Sequence, residues 1–179
     1  MRYVDEEAGI YLREINEADT DSVLKWRNSP DIRTHFIIRD EITKDTHLSW
    51  LHNKVEKGLV YQTIICDINN DKPLGSVYIQ NIDRHHKKGE FGIFIGEKDA
   101  RGKGIGTAAT RLILEIAFKE LSLHRVYLRL LSSNERALNS YLKAGFVKEG
   151  LLKEDVFVDG KYEDVIWMAV INPLEDKDE

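Results

Sequence analysis

The spacing of apolar positions changes several times along the chain, and each change marks an element. Residues from Gly9 to Ile15 alternate as a short strand, and residues 18–28 carry a helical pattern that stops before Pro30. A second helix is predicted from Thr43 to about Lys57, with Gly58 as the residue just past its end. Val60–Asp67 and Leu74–Ile82 read as two strands joined by the polar turn Asn69–Pro73. A further polar turn, Arg84–Lys88, leads into the strand Gly89–Ile95. From Ile105 the spacing becomes helical, through Ala108, Ala109, Leu112, Ile113, Ile116 and Ala117 as far as Leu121. His124–Leu131 returns to strand character. Ser132 and Glu135 form a capping-box pattern for another helix, which carries Ala137, Leu138, Tyr141 and Leu142 on one face and ends at Gly145. Phe146–Glu149 starts a strand, and Asp155–Val158, the Asp159-Gly160 turn and Lys161–Val170 form a closing hairpin.

The resulting order, β-α-α-β-β-β-α-β-α-β-β, predicts an α/β (α+β) fold. Its sheet is mixed and mainly antiparallel, with about seven strands and about four flanking helices. At 179 residues the chain fits one domain, with an ordered core expected over about 9–171 and a disordered acidic tail over 174–179.

Composition narrows the function classes. The net charge of −5 argues against non-specific nucleic-acid binding and leans towards a cationic or amine substrate. The one cysteine, Cys66, lies in the apolar run Ile64-Ile65-Cys66 and reads as an inert buried thiol. Six histidines, including the adjacent His85 and His86, show no metal-ligand spacing, so no metal is expected. The N-terminus, MRYVDEEAG, has no apolar signal core, and no apolar run approaches membrane-spanning length. A cytoplasmic location without membrane association is the expectation.

The strongest chemical signal is Arg101-Gly102-Lys103-Gly104-Ile105-Gly106, set between the strand ending at Ile95 and the helix that follows. Glycines let a backbone approach an anion closely. The free N–H groups and positive dipole end of a helix's first turn then hold the charge. A dinucleotide fingerprint fails because position 107 is threonine. A Walker loop fails because Glu97 stands where its first glycine belongs and Gly104 replaces the Ser/Thr. What remains is R-x-x-G-x-G.

That loop and the elements around it resemble the GNAT superfamily of acetyltransferases, over about Tyr11 to Val170. Further matches are Asn81-Ile82 with Lys88-Gly89-Glu90-Phe91, and Asn134-Glu135-Arg136-Ala137 with Tyr141-Leu-Lys-Ala-Gly-Phe146. The chain looks closest to the branch with ribosomal-protein N-terminal, spermidine and amino-sugar acetyltransferases. Gly96–Ala100 is a residue longer than in many relatives, which leaves the strand register open by one position.

The resemblance implies acetyl-CoA as co-substrate, and relatives are often homodimers. The amides of Gly102, Lys103, Gly104, Ile105 and Gly106 would take the pyrophosphate, with Arg101 and Lys103 adding charge. The backbone of Ile93, Phe94 and Ile95, at a splay between neighbouring strands, would pair with the pantetheine arm and polarise the thioester carbonyl. Asn134 would bond that arm, and Lys143 would lie near its entrance. Tyr141 becomes the candidate general acid for the departing thiolate. Its phenol, with a reference pKa of ~10, can donate as charge develops on sulfur. A primary amine with a pKa of ~10.4 is almost fully protonated at neutral pH, a deficit of roughly 4–5 kcal/mol. Glu90, acting through water, is the candidate base; a plain surface pairing with Lys87 or Lys88 is the competing reading.

On the acceptor side, Trp26-Arg27-Asn28-Ser-Pro-Asp-Ile32 and His47-Leu-Ser-Trp50 are similar to segments of enzymes that acetylate nucleotide-linked amino sugars in pseudaminic acid biosynthesis. Trp26 and Trp50 would stack on a base or sugar, Arg27 would bind phosphate, and Asn28 and His47 complete the candidate set; a plain core role, anchoring amphipathic helices, is the stronger reading of both tryptophans. The expected activity is direct acetyl transfer to a small primary amine in a ternary complex. A protein N-terminus or a polyamine stands behind an amino-sugar nucleotide as acceptor, and a CoA-binding sensor or a nucleotide-dependent regulator remain as alternatives.

Overall fold

The computed structural model describes residues 3–173, which form eight strands in a single sheet of order β1-β2-β3-β4-β5-β6-β8-β7. The strands are β1 (Tyr3–Asp5), β2 (Ile10–Glu14), β3 (Tyr61–Asp67), β4 (Pro73–Asp83), β5 (Lys88–Ile95), β6 (Arg125–Leu131), β7 (Val147–Val158) and β8 (Lys161–Ile171). Every pairing is antiparallel except β5 with β6. The architecture is the expected one, with one strand more: β1 pairs with β2 ahead of the predicted core. The tail expected to be disordered lies outside the described residues.

The helices are α1 (Thr20–Arg27), α2 (Pro30–Arg33), α3 (Lys44–Trp50), α4 (Ile105–Lys119) and α5 (Glu135–Lys143). The first predicted helix is a 3-10 turn at Glu17–Asp19 followed by α1, because Asn16 caps the turn through Ala18 N–H. Pro30 then opens α2 instead of a coil, as its fixed φ suits a first helical turn. The second predicted helix is split into α3 and a π-helical segment, Leu51–Val55. The capping box read at Ser132 and Glu135 is corrected: the cap is Asn134, whose Oδ1 accepts from Ala137 N–H at 3.2 Å. Phe146–Glu149 and Asp155–Val158 belong to one bulged strand, β7.

Two cores lie on opposite faces of the sheet. Alternate residues of the strands, Val77, Ile79, Phe91, Val126 and Leu128, meet the apolar face of α4. On the other face Trp26, Val23, Ile64 and Phe94 pack beneath α1 and α3. Cys66 is fully buried in that second core, and burial raises its thiol above the usual range. Among the described residues no helix is long and apolar enough to cross a membrane.

One defect in the sheet positions the site. β5 and β6 pair only at Lys88↔Arg125, Gly89↔Val126 and Glu90↔Tyr127. β5 stays paired with β4 as far as Ile95, so residues 91–95 keep one edge in the sheet and leave the other without a ladder partner. The two parallel strands diverge at Glu90. The β5-α4-β6 crossover sets the glycine loop above that opening, since the loop joins the end of β5 to the start of α4.

Candidate active site

A cavity of about 1070 Å³ occupies the opening and runs from the glycine loop to the underside of α1–α3. Its wall includes Ile93, Phe94 and Ile95, the loop residues Arg101, Gly102, Gly104 and Gly106, and Asn134, Tyr141 and Lys143 of the α5 segment. Glu90, Arg27 and His47 line the other end. Lys103, Ile105, Trp26 and Asn28 are absent from the wall.

The loop folds as its glycines require. Gly102 and Gly104 have φ of 78° and 80°, the left-handed region that a Cβ disfavours. Gly104 caps α4 with no side-chain acceptor, so the first N–H groups of the helix are left for a ligand. Arg101 has an anchoring role that its charge alone did not suggest. Its Nε donates to the Ile95 carbonyl at 3.0 Å and Nη2 to that of Gly96 at 3.1 Å, so it fastens the loop to β5. A cation the sequence reading passed over, Arg136, places Nη2 3.7 Å from where a Cβ on Gly102 would sit. Its signal was present in the sequence, since it lies inside the Asn134–Ala137 segment.

Asn134 spends its oxygen on the helix cap, while its Nδ2 makes no hydrogen bond among the described residues. Tyr141 packs edge-on against Phe91, ring centroids 5.5 Å apart, and its hydroxyl has no hydrogen-bond partner among the described residues. Burial, with the nearby Tyr78 phenol adding to it, raises Tyr141 above the ordinary phenol range. The side chain is therefore neutral at physiological pH and able to donate a proton.

Glu90 is buried, and its carboxylate is held at both oxygens. Arg129 Nε donates to Oε1 at 2.9 Å and Asn81 Nδ2 to Oε2 at 2.8 Å. The competing surface pairing with Lys87 or Lys88 is not the one formed; these two take its place. Asn81 reaches it from a bulge of β4, where its own φ is 51°.

On the acceptor side the structure separates the predicted residues. Trp26 is core: it is 3% exposed, meets Phe94 edge-on, and donates Nε1–H to Glu97 at 2.9 Å. Asn28 is spent on the backbone, donating to the Ile42 carbonyl and accepting from its N–H, both at 2.8 Å. Trp50 reaches the wall with its indole tied to Gln62 at 2.8 Å. Arg27 stacks its guanidinium 3.6 Å over the Phe36 ring, and its Nη1 is buried without a partner among the described residues.

The tautomer of His47 follows from its neighbour. Thr20 donates its hydroxyl proton to the Glu17 carbonyl at 2.7 Å, so at 3.2 Å it can only accept from His47 Nδ1–H. Burial lowers His47 below the usual imidazole range despite Asp19, which keeps it neutral. Its buried Nε2, which has no hydrogen-bond partner among the described residues, is then a bare acceptor. Among the described residues no group of three His, Cys, Asp or Glu side chains is placed to hold a metal ion.

Comparison with known proteins agrees with this geometry. The family model described as "Acetyltransferase (GNAT) domain" matches residues 10–147. The Bacillus subtilis (strain 168) protein named "Probable N-acetyltransferase YjcK" is 30% identical over 175 residues, 94% of this chain and 97% of that one. The spermidine N(1)-acetyltransferase of Escherichia coli (strain K12) is 32% identical over 126 residues, 70% of this chain and 64% of that one. The crystal structure of spermidine N-acetyltransferase from Vibrio cholerae, in complex with CoA and spermine, superposes with a TM-score of 0.86 at 25% identity, covering 92% of this chain and 96% of that one. A family match over most of the chain, met by the same fold, places it among the GNAT acetyltransferases.

Proposed function

We propose that the protein transfers an acetyl group from acetyl-CoA to the primary amine of a small acceptor that also carries an anionic group, with a nucleotide-linked amino sugar as the leading candidate. The observation that carries the transfer reading is the divergence of β5 and β6 at Glu90, which leaves the 91–95 edge unpaired beneath a glycine loop. That edge and the loop suit a pantetheine arm and its pyrophosphate. Gly102 and Gly104 bear no Cβ to fill the cradle, and the capless start of α4 leaves donors for an anion. Acetyl-CoA, when bound, supplies the activated acetyl group. The chain's own part is to hold the carbonyl at the β5 edge, protonate the departing sulfur from Tyr141, and draw the amine's proton towards Glu90 through water. Transfer is direct, because Cys66 is buried away from the cavity wall.

The charges on the acceptor side favour an anion-bearing substrate over a polyamine. Asp31 is paired with Lys98 at 2.8 Å, and Glu90 with Arg129. Arg27, by contrast, meets no carboxylate among the described residues and keeps a buried N–H unmet there. A polycation would add positive charge where the acids are already matched, whereas a phosphate or carboxylate would satisfy Arg27. His47 Nε2 adds an acceptor for a hydroxyl of a sugar. The kinship with spermidine acetyltransferases keeps the polyamine as the second reading.

A mass-spectrometric product screen across amino-sugar nucleotides, polyamines and peptides with free N-termini tests this. The expected outcome is acetylation of a phosphate-bearing amine, weakened at least tenfold by Arg27→Gln. Efficient acetylation of spermidine alone, indifferent to Arg27→Gln, would overturn the acceptor reading.

A further inference from the structure

The cavity holds a second phenol that no family motif marks. Tyr78 on β4 stands opposite Gly92 on β5, and a Cβ at Gly92 would lie 2.3–2.5 Å from Cζ, Cε2 and the hydroxyl of that ring. The ring therefore rests in the space that the glycine leaves vacant. Gly92 is two residues beyond Glu90, just past the point where β6 stops pairing. Side chains alternate along a strand, so Tyr78 shares its face with Glu90 and Gln80, on the side of Arg27 and His47. Tyr141 comes from the other layer, with its ring on Phe91. Two phenols thus approach one strand edge from opposite sides.

We propose that the Tyr78 hydroxyl holds the nitrogen of the acceptor amine, accepting its N–H and turning the lone pair towards the thioester carbon. The inference rests on the transfer reading above and adds a residue to it. The Tyr78 hydroxyl makes no hydrogen bond among the described residues, although the ring is half-buried and packed in a core. Phenylalanine would fill the same space without leaving a polar group unmet, so the hydroxyl is available for something that enters the cavity. Its surroundings suit an attacking amine. Burial holds the phenol neutral, with Glu90 adding to that effect and Arg27 opposing it. A neutral oxygen accepts from a neutral amine without favouring the protonated, unreactive form. The phenol keeps its own proton throughout. The amine's surplus proton leaves by way of water to Glu90. The division of labour follows position: Tyr141 shares α5 with the coenzyme-side residue Lys143, and Tyr78 faces the acceptor side.

The test compares wild type, Tyr78→Phe and Gly92→Ala in CoA-release assays, with UDP-glucosamine, spermidine and ethylamine as probe amines. Tyr78→Phe is expected to lower kcat/KM for the amine about 10- to 30-fold, the worth of one hydrogen bond to a reacting group. Acetyl-CoA affinity and thermal stability stay unchanged while kcat/KM for the amine falls, a split that a merely structural role for the hydroxyl would not produce. Gly92→Ala pushes the ring aside and gives a similar loss, and the double variant adds nothing to it. A Tyr78→Phe enzyme within twofold of wild type on every amine that wild type uses overturns this inference and leaves the transfer reading standing. A wild type that binds acetyl-CoA yet acetylates none of the three probes overturns both.

Discussion

Arg129 Nε and Glu90 Oε1 lie 2.9 Å apart across the point where β6 and β5 separate, and Asn81 takes the second carboxylate oxygen. The pair fixes the rotamer of Glu90 while leaving it on the cavity wall. Glu90→Gln keeps the shape and an acceptor for Arg129 but removes the negative charge. The expected result is a loss in kcat/KM of about 10²-fold or more, the range for a general base, with acetyl-CoA binding unchanged. Arg129→Ala strands the carboxylate beside one neutral donor. Because Arg129 is itself a third exposed, the cost to stability should be roughly 1–2 kcal/mol, below that of a fully buried pair. Chemical denaturation of both variants, beside steady-state rates, separates the two effects.

Gly96 has a structural duty at the end of β5. A Cβ there would sit 2.2 Å from the Trp26 indole. Gly96→Ala must displace a ring that is 3% exposed, and overpacking of this kind costs about 1–3 kcal/mol. Trp26→Ala leaves a cavity instead and should cost about 3–5 kcal/mol. A urea midpoint for Gly96→Ala equal to that of wild type would contradict the packing.

The partner of that indole makes stability pH-dependent. The Trp26 N–H, with Lys72 and Lys25 behind it, holds Glu97 below the usual carboxylate range, against an upward push from burial that is second only to the Trp26 bond. A depressed folded-state value means that its stabilisation is complete above the ordinary glutamate range, about pH 4.3, and disappears as pH falls through and below that value. Glu97→Gln still accepts from Trp26 but no longer titrates. Thermal melts from about pH 6 down to about pH 3.5 should therefore show a smaller drop in Tm for Glu97→Gln than for wild type.

The alternation of β3 to β6, the α4 spacing and the Gly-Lys-Gly loop were legible because each is a local period or a local turn. The fates of Trp26 and Asn28 were not. Both sit on the helix expected to face the acceptor, but only the tertiary packing shows Trp26 turned onto Gly96 and Asn28 bonded to Ile42. The anchoring role of Arg101 was hidden for the same reason, since only the tertiary structure shows its Nε and Nη2 donating to two carbonyls. Tyr78 escaped notice because its importance comes from Gly92, a neighbour across the sheet.

Gly104 offers a test in which sterics play no part. No heavy atom lies within 4 Å of a Cβ built there, so Gly104→Ala meets only the penalty of φ 80°, about 1–2 kcal/mol. If the left-handed turn is the conformation that presents the α4 amides to a pyrophosphate, that penalty appears in ligand binding. Calorimetry should show acetyl-CoA binding weakened about tenfold, while amine KM changes little. Equal affinity would mean that the turn does not hold the coenzyme.

Tyr141→Phe separates binding from chemistry. The hydroxyl has no partner among the described residues, so its removal should leave folding intact, and the ring keeps its contacts with Phe91 and Phe146. Acetyl-CoA should still raise Tm as in wild type, but kcat should fall by about 10²- to 10⁴-fold. A CoA-binding sensor would show the ligand response in both proteins and turnover in neither. The pH profile carries a further sign. An acid must be protonated to act, and burial raises this phenol above its ordinary value of about 10. Loss of the acid therefore cannot produce a fall in kcat below about pH 10. A decline in wild-type kcat that begins near pH 8 and vanishes in Tyr141→Phe would show an unperturbed or lowered phenol, and with it a site more open to water than the structure allows.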